Sequence, residues 1–146
     1  MNNGVIMLVE DEEDDVTLTL RALEHNDIRN EVVVAADGEQ ALDLLFPADL
    51  AQRLVPALIL LDINIPKVSG LEVLRTIRAD VLSRAVPVVM LTTSNEERDI
   101  LESYELGANS YVRKPVAFGD FVEATRLMGL YWLQVNELPP TQSARA

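Results

Sequence analysis

Five short apolar runs decide most of what this chain can become. They are Val5-Ile6-Met7-Leu8-Val9, Val32-Val33-Val34-Ala35, Leu58-Ile59-Leu60-Leu61, Val86-Pro87-Val88-Val89-Met90-Leu91 and Ser110-Tyr111-Val112. Each is continuous rather than alternating. A strand with one wet face alternates apolar and polar residues, whereas a strand covered on both faces does not. The runs therefore read as strands of a parallel sheet with helices on both sides.

Helical patterns fill the gaps. Val16, Leu20 and Leu23 make one helical face, and Ala41, Leu44 and Leu45 follow Asp37-Gly38 in the same way. Leu71, Leu74 and Ile77 follow Ser69-Gly70. Ser94 and Glu97 have the spacing of a capping box ahead of Ile100, Leu101 and Tyr104, and Gly107 reads as that helix's stop. Phe121, Thr125, Met128 and Trp132 give a last face. The order is βα repeated five times. Right-handed crossovers then predict an α/β fold with a doubly wound five-stranded parallel sheet. One domain is expected over residues 1–136, with a tail over 137–146 introduced by Pro139-Pro140.

Composition excludes several functions. With 24 acids against 12 bases the net charge is −12, which disfavours nucleic acid as a partner. Cysteine is absent, so disulfides, thiolate metal sites and thiol nucleophiles are excluded. The first apolar run is too short for a signal peptide or a membrane span. The expectation is a soluble, cytoplasmic protein.

Ligands of open α/β sheets bind beyond the carboxyl ends of the strands. Here those ends carry Glu10-Asp11, Asp62, Thr92-Thr93 and Lys114-Pro115. Clustered carboxylates repel one another and raise each other's pKa, a conflict that a hard divalent cation removes. Magnesium binds one or two carboxylates, keeps waters and accepts a phosphoryl oxygen. The set contains no His or Cys, which makes zinc and copper poor fits. Such a site suits phosphoryl chemistry, with the cation and the Lys114 ammonium on the phosphoryl oxygens and a carboxylate in line.

This constellation resembles the receiver domain of two-component response regulators, over roughly residues 4 to 131. The resemblance implies a flavodoxin-like (βα)5 fold. It implies that Asp62 is the phosphoacceptor, served by a sensor histidine kinase. It implies a Mg2+ site made by Asp11, Asp62 and the Asn64 carbonyl, with Glu10 acting directly or through water. Lys114 would pair with the phosphoryl oxygens, Thr92 would move toward them, and Tyr111 would swing inward behind it. Thr93 fills a position held by small residues, where its N–H could face the phosphate. A cis Lys114–Pro115 bond is also implied. The stretches LTTSNEE (91–97), ELGANSYVRKP (105–115) and LYWLQVNELPP (130–140) are similar to the stand-alone regulators paired with phytochromes.

Two other chemistries share parts of this pattern. An aspartyl-phosphate phosphatase usually has a second acid two residues on, and position 64 is Asn. A flavodoxin-like electron carrier needs a Ser/Thr/Gly-rich loop where this chain has Glu10-Asp11-Glu12-Glu13. Glu12 to Asp15 read as a solvated first helical turn favouring the dipole, and His25 as a helix-end residue without a chemical role. Leu127, Leu130, Tyr131 and Leu133 make the last helix apolar nearly all round, which predicts a homodimer through that helix and the tail; the alternative is that residues 136–146 fold back over it. With so few residues after the helix, no DNA-binding module is expected, and output would pass to a protein or phosphotransfer partner.

Overall fold

The computed structural model describes residues 4–115 and 117–140. The elements are β1 (Ile6–Val9), α1 (Glu13–His25), β2 (Val32–Ala35), α2 (Gly38–Leu45), a short 3-10 turn (Leu50–Gln52), β3 (Leu58–Leu61), α3 (Gly70–Ala79), β4 (Val88–Thr92), α4 (Glu97–Glu105), β5 (Ser110–Arg113) and α5 (Phe118–Gly129). A π turn, Leu130–Val135, continues α5. The five strands form one sheet in the order β2-β1-β3-β4-β5, and every pair is parallel. The predicted fold class is the one observed.

Period-two geometry sorts the strand residues onto two faces. Met7, Val9, Ile59, Leu61, Val88 and Met90 face one core with Ala41, Leu45, Val73, Leu74 and Ile77 from α2 and α3. Ile6, Leu8, Leu58, Leu60, Val89 and Leu91 face the other, with Ala22 and Leu23 from α1 and Phe121 and Met128 from α5. Neither face of the central strands is wet, which is why their sequence does not alternate. Asn26 ties the two helices of the second face together, its amide donating to the Val122 carbonyl at 2.9 Å.

Four local expectations are corrected. The inward face of α1 is Thr19, Ala22 and Leu23, and Leu20 is exposed. Small Thr19 and Ala22 suit the close α1–α5 approach. The Ser94–Glu97 capping box does not form: Glu96 is the N-cap, and the Ser94 hydroxyl instead donates to Asp99 at 2.6 Å. Leu101 and Tyr104, predicted to face the core, lie on the outside of α4 at 60% and 50% exposure, and Ser103 is buried in their place. Gly107 does end α4, with φ at +103°.

The fourth correction concerns the last helix. Leu133, predicted on an outer face, is buried at 4% exposure, while Trp132 is partly buried and packs against the same core. The π turn is the cause, because one residue more per turn moves the inward position on by one. Leu127, Leu130, Tyr131 and Val135 remain exposed. Beyond the turn, Leu138, Pro139 and Pro140 help to line a cavity of about 310 Å3 with Gly4, Val55 and Leu82 at the strands' amino ends. The rest of the tail, 141–146, lies outside the described residues. No described helix is long and apolar enough to cross a membrane.

Candidate functional site

Register alone brings the site together. Val9 pairs with Leu61, so the next residues, Glu10 and Asp62, leave neighbouring strands side by side. Leu61 pairs with Met90, and Thr92 pairs with Arg113, which puts Lys114 at the same edge. β5 is two strands from β3, roughly 10 Å at the usual spacing. A long side chain is needed to cross β4, and lysine supplies it. The Lys114 backbone N–H donates to the Thr92 carbonyl at 2.8 Å, which fixes where that stem begins.

The Lys114 ammonium reaches Asp62 Oδ2 at 3.1 Å and Asp15 Oδ2 at 3.1 Å, and also bonds Glu10 Oε1. An ammonium has three donors, and three carboxylates take them. Lys114 and Asp62 side chains are 7% and 10% exposed. The other oxygen of Glu10 accepts from the Asp11 and Glu12 N–H groups at 3.0 and 3.3 Å. Burial pushes the Glu10 carboxyl up to about 7, against the downward pull of Lys114. Burial also works to lower the Lys114 pKa, but Glu10 and Asp62 outweigh it and hold the ammonium above the ordinary lysine range.

The backbone around Asp62 is tightly built. The Asn64 N–H donates to Asp62 Oδ1 at 3.2 Å. Gly70 opens α3 against this turn, its N–H donating to the Ile63 carbonyl at 2.9 Å. A Cβ at Gly70 would lie 2.0 Å from the Asp62 carbonyl oxygen. Only hydrogen fits there.

Thr92 is fully buried at the end of β4. Its Oγ1 accepts from the Ser94 N–H at 3.3 Å, and the Ser94 carbonyl accepts from the Tyr111 hydroxyl at 2.9 Å. Thr92, Ser94 and Tyr111 therefore form one chain of contacts from the strand end to β5. Thr93 and Asn64 are exposed, as is Asp11, next to Glu10. Among the described residues no peptide bond is cis, so Lys114–Pro115 has the trans form that X–Pro bonds ordinarily favour; this corrects the cis expectation.

Sequence reasoning missed Asp15. It sits in a run of six acids from Glu10 to Asp15, which hides it. The signal that separates it is helical spacing: Asp15 lies four residues before Thr19 and eight before Leu23, both buried on α1.

Does a divalent cation fit? Three carboxyl groups, Glu10, Asp15 and Asp62, face the single Lys114 ammonium at a largely buried edge, before Asp11 is counted. The raised Glu10 carboxyl registers that burial. All donors are hard oxygens. No group of three or more His, Cys, Asp or Glu side chains is arranged as a metal cage among the described residues. Magnesium does not demand one, because it is usually held by one or two carboxylates and waters. The donor set fits.

A buried aspartate at a parallel strand's end, bridged to a lysine and with a buried threonine at the next strand's end, stands at the carboxyl edge of a flavodoxin-like sheet. The chain belongs to the response regulator receiver family, whose receiver domain matches residues 6–126. It is 37% identical over 136 residues to the response regulator Rcp1 of Synechocystis, covering 92% of each chain. Among solved structures it resembles the phosphorylated cyanobacterial phytochrome response regulator RcpA, with a TM-score of 0.88, 37% identity, and coverage of 94% of this chain and 99% of that one. It also resembles a Mn2+-bound form of Rcp1, with a TM-score of 0.85, 36% identity, and coverage of 93% and 99%.

Proposed function

We propose that Asp62 accepts a phosphoryl group from a sensor histidine kinase, and that the modified domain passes the signal to a protein or phosphotransfer partner. The observation that carries this reading is the Lys114 ammonium 3.1 Å from the buried Asp62 carboxylate. One Asp62 oxygen attacks phosphorus in line; the phosphorus–nitrogen bond of the donor imidazole breaks, and its electron pair leaves with the imidazole. Lys114 holds an equatorial phosphoryl oxygen as charge develops there. Glu10, Asp11, Asp62 and the Asn64 carbonyl would hold Mg2+, whose charge, when bound, offsets that of the phosphoryl oxygens.

Thr92 turns its hydroxyl toward the new phosphoryl group and gives up the Ser94 N–H. That releases the loop to which Tyr111 is bonded. The outer surface of α4 and β5, with Leu101 and Tyr104 exposed, changes as a result. Phosphorylation shifts this equilibrium only by its differential affinity for the second state. The likeness to RcpA supports a phytochrome-type kinase as donor. The strip Leu127, Leu130, Tyr131 and Val135 supports pairing of two copies through α5 and the π turn.

The test is incubation with Mg2+ and a small phosphodonor, followed by detection of an acid-stable, base-labile adduct. Wild type acquires it and Asp62→Asn does not. Equal labelling of Asp62→Asn would refute the assignment.

A further inference from the structure

Asp15 has no part in the chemistry proposed above, yet its carboxylate takes one of the three Lys114 donors. We propose that Asp15 is a positioning residue that holds the Lys114 ammonium back from the phosphoryl group, and so limits how tightly the phosphorylated state is held. This inference rests on the phosphoacceptor reading of Asp62.

Both ends of the Asp15–Lys114 pair are anchored. Asp15 is in the first turn of α1, where its carbonyl accepts from the Thr19 hydroxyl at 2.8 Å, and Thr19 is buried. Lys114 is fixed at its backbone by Thr92. With both backbones fixed, an ammonium that pivots further toward Asp62 lengthens its contact with Asp15. Glu10 and Asp62 have second tasks: Glu10 also caps two backbone N–H groups, and Asp62 is the residue modified. The Asp15 carboxylate is engaged by Lys114 alone among the described residues. A phosphoryl group on Asp62 brings three acceptor oxygens and close to two charges. One donor already points at Asp62; to bring a second to the phosphoryl oxygens the ammonium must turn it away from Glu10 or Asp15, and Asp15 is the competitor left without another role. The Asp15 side chain is 32% exposed, beside a small cleft lined by Leu18, Phe118 and Phe121, so water screens the pair. Its hold on Lys114 is accordingly modest, about three- to five-fold in affinity.

The experiment measures beryllofluoride affinity calorimetrically at saturating Mg2+, with thermal midpoints recorded alongside. Asp15→Asn is expected to bind about three- to five-fold tighter than wild type. Asp15→Glu, which keeps the charge, should match wild type. Asp14→Asn, which removes a neighbouring exposed acid, should also match it. Equal or weaker binding by Asp15→Asn overturns the inference, as does an equal gain in Asp14→Asn, which would reduce the effect to overall charge. No beryllofluoride binding by wild type would overturn the phosphoacceptor reading, and this inference with it.

Discussion

Replacing Gly70 by alanine tests how the phosphoacceptor is aimed. The new Cβ would lie 2.0 Å from the Asp62 carbonyl oxygen, 2.8 Å from Ile63 Cα and 2.9 Å from the Asp62 carbonyl carbon. Unbonded carbon contacts settle near 3.5–4.0 Å, so the oxygen contact is short by roughly 1.5 Å. Every atom in the way is backbone, and none can rotate aside. Gly70 has no positive φ, so the helical start itself tolerates alanine; the penalty is contact alone. Either α3 withdraws or the Asp62–Ile63 segment shifts, and overpacking of this kind costs about 1–3 kcal/mol. The kinetic effect is larger. Asp62 must stay 3.1 Å from Lys114 and in line with a donor, and a displacement of about 1 Å at a reacting group costs on the order of 100-fold in rate. The assay is the initial labelling rate with a small phosphodonor, with thermal unfolding beside it. Gly119→Ala is the control, because a Cβ there meets nothing within 4 Å, and alanine in α5 is expected to stabilise by up to about 1 kcal/mol. If Gly70→Ala labels at a rate indistinguishable from Gly119→Ala, the close approach does not aim the carboxylate.

Three further outcomes are expected. Folding raises the Glu10 pKa from 4.5 to about 7, so the native state binds this proton better than the unfolded chain; metal-free stability then falls as pH rises from about 4.5 to 7, while apparent Mg2+ affinity rises over the same range. Thermal midpoints and calorimetry between pH 5 and 8 check both, and flat profiles would refute the Glu10 account. Tyr111→Phe removes the bond to the Ser94 carbonyl; it should cost about 1 kcal/mol and leave labelling intact, while amide-exchange changes in the 93–96 loop on labelling shrink. Leu130→Arg with Tyr131→Arg places charge in the exposed strip, so wild type should sediment at twice 16.2 kDa and the variant at half that; a monomeric wild type would refute the dimer.

The strands and the site's outline were legible for the same reason. Continuous apolar runs mark doubly covered strands, and in a parallel sheet their ends share one edge, so Glu10, Asp62, Thr92 and Lys114 follow from counting. What was not legible depends on tertiary contact. Leu101 and Tyr104 have core-like spacing, but α4 turns Ser103 inward instead. Ser94 has capping spacing, yet Asp99 and Tyr111 claim its polar groups. Helical spacing could single out Asp15, but its partner Lys114 is 99 residues away and is met only in the fold. The π turn has no compositional mark. It follows Gly129, where a Cβ would lie 2.4 Å from Ile28 Cδ1, a proximity that exists only after α5 has docked.

That turn also acts as an angular adapter. Successive residues of an α-helix are about 100° apart around the axis, so a single surplus residue rotates everything downstream by that amount. Leu138, Pro139 and Pro140 arrive at the cavity by Gly4 and Val55 under this rotation. Deleting one residue, such as exposed Gln134, would leave composition almost untouched and swing the prolines to another side of the molecule. The length of this segment, more than its chemistry, aims Leu138, Pro139 and Pro140.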